Sequence, residues 1–465
     1  MTQTRRSFIK STAGAIVGCT LFDVRRLSAG PPWVRMDVGG MTSSSSTLVS
    51  YGKAIDAMKK LASTNPLSWT YQAAIHGSLT GPPHPAWNTC EHGSLEFFSW
   101  HRMYLYWFER IIRKQSADPS FALPFWNYEL ATERLLPDPF RSPGTGLYVP
   151  DANRGTGWNA GTSFLQGSAV STAGCMPQIP FSSFSSNLEG TPHAAVHNSF
   201  GATGGWMGSV PTAAQDPIFY LHHCNIDRLW NAWLAQSAGR SDPLSDKTWT
   251  TKKFQFFDEN GAQVWMTGCD ILRAQDQLGY SYEGEPPQVN QYCNKIVPTS
   301  TWLYTLLMQC PPIRLPPGPD PPPFEIDVRS ARQRLLRAAE DKNADVVLRL
   351  SNVVADRQPN VYWEVHAGLP KGTRATPERK SYIGNLAMFG SGVADSGHGS
   401  ARAAQVEIRL DDAVLAALAG NDQGTLPLQF VASGAGTKGQ RPFRNAATIT
   451  VGTAEILERR LQEKG

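Results

Sequence analysis

Ten histidines occur in this chain of 465 residues, and eight of them fall between His76 and His223. That crowding constrains the fold more than any other feature, because several of these imidazoles sit in apolar helical stretches, where burial without a partner is costly. His101 lies in 95–114, where Phe97, Phe98, Tyr104, Leu105, Phe108, Ile111 and Ile112 recur at roughly helical spacing with charges between them. His223 lies in a second apolar helical stretch, 217–236, which follows Asp216-Pro217, a capping residue and a proline at the first helical position. His193 and His197 are four apart, so on a helix both rings leave one face and suit one metal. The zinc-protease pattern would need Glu after the first of these, and Ala194 stands there. His92 and His101 are nine apart, about 900° of helical rotation, so both reach one metal only if His92 lies in an entry loop. Cys90-Glu91-His92-Gly93 reads as such a loop. His222 points about 100° away from His223, and one of the two is expected to be structural.

The remaining chain divides by composition. Residues 1–29 carry Arg5, Arg6, Lys10, Arg25 and Arg26 against Asp23, which accounts for the whole formal charge of +4. The rest is balanced, so no global field attracts nucleic acid or anionic lipid. Thr4-Arg5-Arg6-Ser7-Phe8-Ile9-Lys10, the apolar run 13–21 and Leu27-Ser28-Ala29 resemble a twin-arginine export signal. The apolar run is about half of what a spanning helix needs, so after signal removal the protein is expected off the membrane, in the periplasm or outside the cell. Lipoprotein processing at Cys19 is the alternative. Six further cysteines are too few for a disulfide framework, and their pairing is not legible.

Residues 30–244 read as a mainly helical domain with long surface loops over the Ser-, Gly- and Pro-rich stretch 116–190. Residues 245–310 read as a connecting module with a hairpin at 254–266. Eight prolines mark 311–323 as a stiff linker. In 324–465 the runs 324–328, 346–350, 362–365, 405–410, 426–432 and 447–451 read as strands between turn residues. The expected fold class is therefore a mainly α core with long loops plus a C-terminal antiparallel β-sandwich.

Two motifs then resemble a known family. His92-x4-Phe97-Phe98-Ser99-Trp100-His101-Arg102-x6-Glu109 resembles the first copper signature of the tyrosinase and polyphenol oxidase family, and Asp216-Pro217-Ile218-Phe219-Tyr220-Leu221-His222-His223-x3-Asp227 resembles the second. Leu278-Gly279-Tyr280-x-Tyr282 is similar to the middle segment of the plant-type enzymes, and the C-terminal sandwich looks like their shielding domain. The resemblance implies a four-helix bundle holding two copper ions, one on His76, His92 and His101, the other on His193, His197 and His223. Six neutral imidazoles suit that metal, and His84, between two prolines, is the competitor for His76.

The same resemblance implies a thioether between Cys90 and His92 and a water-orienting base at Glu189. It puts Val210 at the gate and Phe219 in the pocket wall. Relatives that hydroxylate monophenols carry Asn after the first ligand of the second copper; Ala194 stands there and Asn198 follows the second ligand, which argues against strong monophenolase activity. Arg102, Glu109, Asp227 and Arg228 are expected to form buried ion pairs between the ligand-bearing helices. The implied activity is oxidation of phenols and catechols to o-quinones with O2, kept latent by a plug from the C-terminal domain at Met388 or Phe389. An o-aminophenol oxidase is the near variant. A haemocyanin-like oxygen carrier and a structural zinc protein are the rivals. Neither the physiological phenol nor the oligomeric state is legible.

Overall fold

The computed structural model describes residues 32–79, 84–236, 239–285, 288, 293, 300–316, 323–341, 343–369, 381–390, 403–412, 414–415, 424–434, 436–437 and 447–463. The expected export signal at 1–29, Cys19 included, lies outside them. Among the described residues no helix is long and apolar enough to cross a membrane.

The first half folds around helices Ser46–Lys59, Trp69–His76, Phe97–Ser116, Phe181–Leu188, Ala195–Gly201 and Ile218–Ala235. The two strongest periodicities sit where the sequence puts them. Phe97–Ser116 ends at Ala117, whose left-handed conformation (φ 58°) lets its N–H reach the carbonyls of Arg113 and Lys114, and those two basic residues face the negative end of the helix dipole. Ile218–Ala235 starts after Pro217, which already has helical dihedrals, and Asp216 Oδ1 accepts from the Ile218 N–H at 3.2 Å.

The loop stretch 116–190 differs from a surface loop. Before the helix Phe181–Leu188 it holds only short helical turns and the two-residue strand Ser163–Phe164, yet Phe125, Trp126, Tyr128, Phe140 and Trp158 are buried in the main core. Such irregular backbone is tolerated inside because side chains satisfy it. The fully buried Arg154 donates to the carbonyls of Phe140 (2.7 Å) and Leu147 (3.0 Å) while gripping both oxygens of Asp216 at 2.5 and 2.8 Å.

The ion pairs also differ in detail. Arg102 bonds Asp227 at 2.6 Å across the two long helices, as expected, but Glu109 pairs with Arg35 (2.9 Å) and Arg113. Arg228 lies outside the buried set, paired with Glu129 at 2.5 Å and partly exposed. Arg35 comes from strand Trp33–Arg35, which runs parallel to Tyr280–Tyr282. Tyr280 and Tyr282 donate to Asp227 Oδ2 at 2.6 and 2.7 Å, so the connecting module, the N-terminal strand and both long helices meet at one carboxylate. The hairpin forms as read, Phe254–Phe257 against Gln263–Met266. Cys269 and Cys293 are disulfide-bonded.

The C-terminal part holds two antiparallel sheets. One has Tyr382–Leu386, Tyr362–Ala367, Thr425–Ser433 and Phe324–Asp327 in that order. The other orders Ala404–Arg409, Asp345–Ala355, Ile449–Glu463 and Ser300–Cys310. Trp363, Val365, Leu428 and Phe430 from the first sheet share an apolar cluster with Leu348, Leu350, Ile408 and Ile456 from the second. The boundary expected at the proline-rich stretch 311–323 falls inside this part. Ser300–Cys310, assigned to the connecting module 245–310 from sequence, pairs with Ala454–Glu463, and Ile313–Leu315 pairs with Ile449–Val451. Prolines at 311, 312 and 316 flank that short strand without interrupting it, and its Ile313 and Leu315 are buried with Arg314 outward. The helix Arg332–Glu340 and the strand Tyr382–Leu386 carried no pattern strong enough to be read.

Burial alone would raise the Asp227 carboxyl, but Arg102 and then Arg35 outweigh it and hold it below the usual range. Asp227→Ala is expected to cost about 3–5 kcal/mol in denaturant unfolding, because it strands a buried guanidinium. Arg228→Ala should cost less than about 1 kcal/mol. Since the folded-state carboxyl titrates low, the Asp227 contribution is complete above about pH 4 and disappears as the pH falls below that, so Asp227→Ala should converge on the parent in acid.

Candidate metal centre

Five of the six expected ligands are presented by helical backbone. His76 ends Trp69–His76, His101 sits one turn into Phe97–Ser116, and His223 lies inside Ile218–Ala235. His193 follows a kink at Thr191 (φ −144°, ψ 121°) and opens the helical stretch that carries His197. His92 stands on a loop, as its nine-residue spacing to His101 requires.

Two clusters result. The ligand atoms of His76, His92 and His101 lie within 4.8 Å of one another, and so do those of His193, His197, His222 and His223. The clusters adjoin, with His101 stacked on His223 at a ring separation of 4.3 Å and His92 facing His193 at 5.6 Å. His84 packs instead against Tyr71, Trp87 and Phe257, away from both.

Four rings are oriented the same way. Nδ1 of His76 meets the Val210 carbonyl (3.1 Å), that of His101 the Phe97 carbonyl (2.8 Å), that of His193 the Glu189 carbonyl (3.2 Å) and that of His197 the Met207 carbonyl (2.6 Å). A carbonyl only accepts, so each Nδ1 carries the proton and each Nε2 keeps its lone pair. Among the described residues, Nε2 of His101, His193, His197 and His223 is buried without a hydrogen-bond partner. Leaving such an atom unsatisfied costs about 1–3 kcal/mol each, which a metal in each cluster would relieve. Neither cluster contains a carboxylate, and all-imidazole sites suit copper or zinc rather than hard oxygen-seeking ions. Burial holds His101 down at about 3 and, with repulsion among the neighbouring rings, keeps His193, His197 and His223 well below the ordinary imidazole value.

The other expected residues fall around this pair. Glu189 is buried, and its Oε1 accepts from the Gly93 N–H at 2.6 Å, which fixes the carboxylate beside the His92 loop. Cys90 Sγ lies 3.5 Å from His92 Nδ1. Phe219 packs beneath both clusters, 4.7 Å from the His76 ring and 4.3 Å from that of His223. Val210 is buried and contributes its backbone: a Cβ on Gly77 would lie 2.5 Å from the Val210 oxygen, so only glycine lets that carbonyl reach His76. Ala194 is buried beside His193. Asn198 Nδ2 donates to the Val361 carbonyl of the β part at 2.7 Å, while its Oδ1 is buried without a partner among the described residues.

Sequence reasoning left open whether the plug is Met388 or Phe389. Phe389 stacks on His197 at 3.7 Å with planes 2° apart and meets His92 and His193 edge-on, whereas Met388 packs into the β core. Gly390 follows at φ 74°, and any Cβ there would lie 2.5 Å from the His92 ring. The reading missed that His222 joins the second cluster. Its Nδ1 bonds the Tyr128 hydroxyl at 3.0 Å, and a tyrosine 94 positions earlier leaves no local signal.

Known proteins share these features. The family model "Common central domain of tyrosinase" matches residues 66–185 and 162–236, and "Polyphenol oxidase middle domain" matches 243–293. Tyrosinase HcTyr1 of Hahella sp. (strain CCB-MM4) is 32% identical over 365 residues, covering 66% of this chain and 75% of that protein. Chloroplastic polyphenol oxidase A1 of Vicia faba is 32% identical over 283 residues, 51% of this chain and 46% of its own length, so the chain matches less than half of that plant relative. A latent aurone synthase (polyphenol oxidase) superposes with a TM-score of 0.62 at 19% identity over 95% of this chain and 91% of its own. A latent apple tyrosinase does so with 0.59 at 21% identity over 94% and 99%.

The depressed histidines predict how metal binds. At pH 6, six ordinary imidazoles would release about four or five protons on metallation. Calorimetric copper titrations in buffers of different ionisation enthalpy should show fewer than about two, since at least four of these rings are already neutral.

Proposed function

The chain belongs to the tyrosinase family, and from that premise we propose that it is a copper-dependent phenol oxidase, in which His76, His92 and His101 hold one ion and His193, His197 and His223 the other. The observation that carries this reading is the pair of adjoining all-imidazole clusters, in which Nε2 of His101, His193, His197 and His223 is buried without a partner among the described residues. His223 rather than His222 completes the second set, because its ring faces the first cluster, stacked on His101 at 4.3 Å, whereas the His222 ring packs against Tyr128, His193 and His197 on the far side. We read the helices around the site as a four-helix bundle and the two C-terminal sheets as a sandwich that shields it. Residues 1–29 are read as the signal that delivers the chain to the periplasm or beyond.

Bound copper supplies reversible one-electron redox chemistry and a site for O2. The substrates are phenols and catechols, the products o-quinones: two catechols each give up two electrons and two protons, and one O2 leaves as two waters. The protein's part is positioning. Phe219 walls the centre from below, and the His197 face now covered by Phe389 offers a flat surface on which a substrate ring can stack. The Glu189 carboxylate, fixed through Oε1 by the Gly93 amide, takes the phenolic proton. With Ala194 next to His193 and the Asn198 Nδ2 donating to the Val361 carbonyl, neither position gives the site a free side-chain N–H, which favours catechol oxidation over monophenol hydroxylation.

Phe389 makes this a latent state. A closed cover also suits an oxygen carrier, and turnover separates the two. The protein should contain two coppers per chain and consume little O2 with catechol, while Phe389→Ala should raise uptake about 10- to 100-fold. Two coppers with reversible O2 binding and no turnover in the variant would favour the carrier. A stoichiometry other than two would refute the ligand scheme.

A further inference from the structure

The six ligands are not equally supported. His92 alone lacks regular backbone, and residues 89–96 form no helix or strand. Upstream, the segment is tied to helix Trp69–His76 by the Asn88 and Thr89 N–H groups, which donate to the Ala74 and Ile75 carbonyls at 3.0 and 3.2 Å. Beyond that point the ties come from further along the chain. Glu91, immediately before His92, has both carboxylate oxygens engaged: Oε1 pairs with Lys252 Nζ and Oε2 accepts from Ser94 Oγ at 3.1 Å. Trp249 Nε1 donates to the Leu95 carbonyl at 3.1 Å. Lys252 and Trp249 belong to one rigid piece, the helix Lys247–Thr251 and its C-cap. Asp246 caps that helix through the Trp249 N–H at 2.9 Å. The buried Trp249 ring lies where Gly268 leaves room, since a Cβ there would come within 2.6 Å of the indole. The piece thus grips the ligand loop at 91 and 95, on either side of His92.

We propose that Lys252, acting through Glu91, is a positioning residue for His92, and that the module at 243–293 serves the first metal site by holding its loop ligand in register. The inference rests on His92 being a ligand. In energy the pair is modest, because both side chains are partly exposed and such pairs contribute little to stability. In geometry it matters more, since metal–ligand distances tolerate only about 0.2 Å and the clamp fixes the loop at 91 and 95, on either side of the Gly93 N–H that Glu189 holds at 2.6 Å. Partners bonded directly to a metal ligand change affinity by about 10- to 100-fold when removed, and a clamp acting one residue along the backbone is expected at the low end of that range.

The test is copper retention of the full-length, copper-loaded protein under a graded chelator, read as metal per chain, with thermal unfolding in parallel. Lys252→Met and Glu91→Gln should each lose one of the two coppers at about 10-fold lower chelator and keep the second at the parent level. Their melting temperatures should move by no more than about 4 °C, and Lys252→Arg should restore parent retention. The proposal is overturned if both variants hold both ions as the parent does, if both ions weaken together, or if arginine does not restore retention. His92→Ala separates this from the ligand assignment. Loss of one copper there keeps the assignment and leaves the clamp to stand or fall on the other variants, whereas two coppers in His92→Ala would remove the assignment itself.

Discussion

Burying imidazole nitrogens with nothing to bond is the constraint to which the rest of the structure answers. At about 1–3 kcal/mol for each unsatisfied atom, the inward Nε2 groups of His101, His193, His197 and His223 together offset a sizeable part of the roughly 5–15 kcal/mol by which a typical domain is stable. A fold that keeps such atoms converged must be over-determined around them. The surrounding core supplies that rigidity: Trp100, Phe97 and Phe219 pack directly against ligand rings, and behind them Phe108 and Tyr220 stack at 3.6 Å. The charged knot at Asp227 works in the same direction. Buried ion pairs add little net stability, but with two arginines, two tyrosines and four chain segments meeting at one carboxylate, the long helices have few alternative registers.

Orientation is delegated to backbone carbonyls. Val210, Phe97, Glu189 and Met207 each accept from the outer nitrogen of one histidine, so the proton is forced outward and the lone pair inward before any metal arrives. Phe97 lies four residues before His101 in a continuous helix and follows from helical geometry, whereas Glu189 reaches His193 across a kink at Thr191 (φ −144°, ψ 121°). The other two, Val210 for His76 and Met207 for His197, come from the segment 206–213, a pair of short turns with little regular structure of its own. That stretch has a steric condition, the absence of a side chain on Gly77, so the residue directly after a ligand decides whether a carbonyl 134 positions from that ligand can reach it.

What was legible in the sequence follows the range over which each signal acts. The helices Phe97–Ser116 and Ile218–Ala235, the hairpin and most C-terminal strands obey short periods, and their positions agree with the reading. The loop position of His92 was legible because nine residues exclude a helix face shared with His101, while their convergence was implied by the family resemblance. Features that depend on distant pairing were not. The chain order of Ser300–Cys310 gives no hint that it pairs with Ala454–Glu463, so the boundary placed at the prolines fell inside a sheet. The Ser-, Gly- and Pro-rich stretch 116–190 reads as exposed by composition, and Arg154 overrides that by bonding buried carbonyls. Glu109 finds Arg35, 74 positions away, for the same reason: partners of buried charges are chosen by packing, which no local window contains.

The cover over the centre has a mechanical consequence that a flexible loop would not have. Neighbouring residues at its tip belong to different cores, Met388 to the β part and Phe389 to the helical part around the histidines. Withdrawing Phe389 by a local loop motion would pull Met388 from its own packing, so the tip moves with the sheet that bears it. That sheet is in turn fastened to the helical part by Asn385 to the Ser168 carbonyl (2.7 Å), by Ser168 Oγ to Glu364 (2.8 Å) and by Asn198 to the Val361 carbonyl (2.7 Å). At about 0.5–1.5 kcal/mol net for each, these bonds hold the closed form without making it permanent. Asn198 directly follows His197, the ring on which Phe389 stacks, so the bond that anchors the cover and the surface it covers share one turn of helix. A withdrawal of Phe389 that kept Met388 packed would therefore require the β part to move as a body, and would free the His197 ring and the Asn198 amide in the same movement.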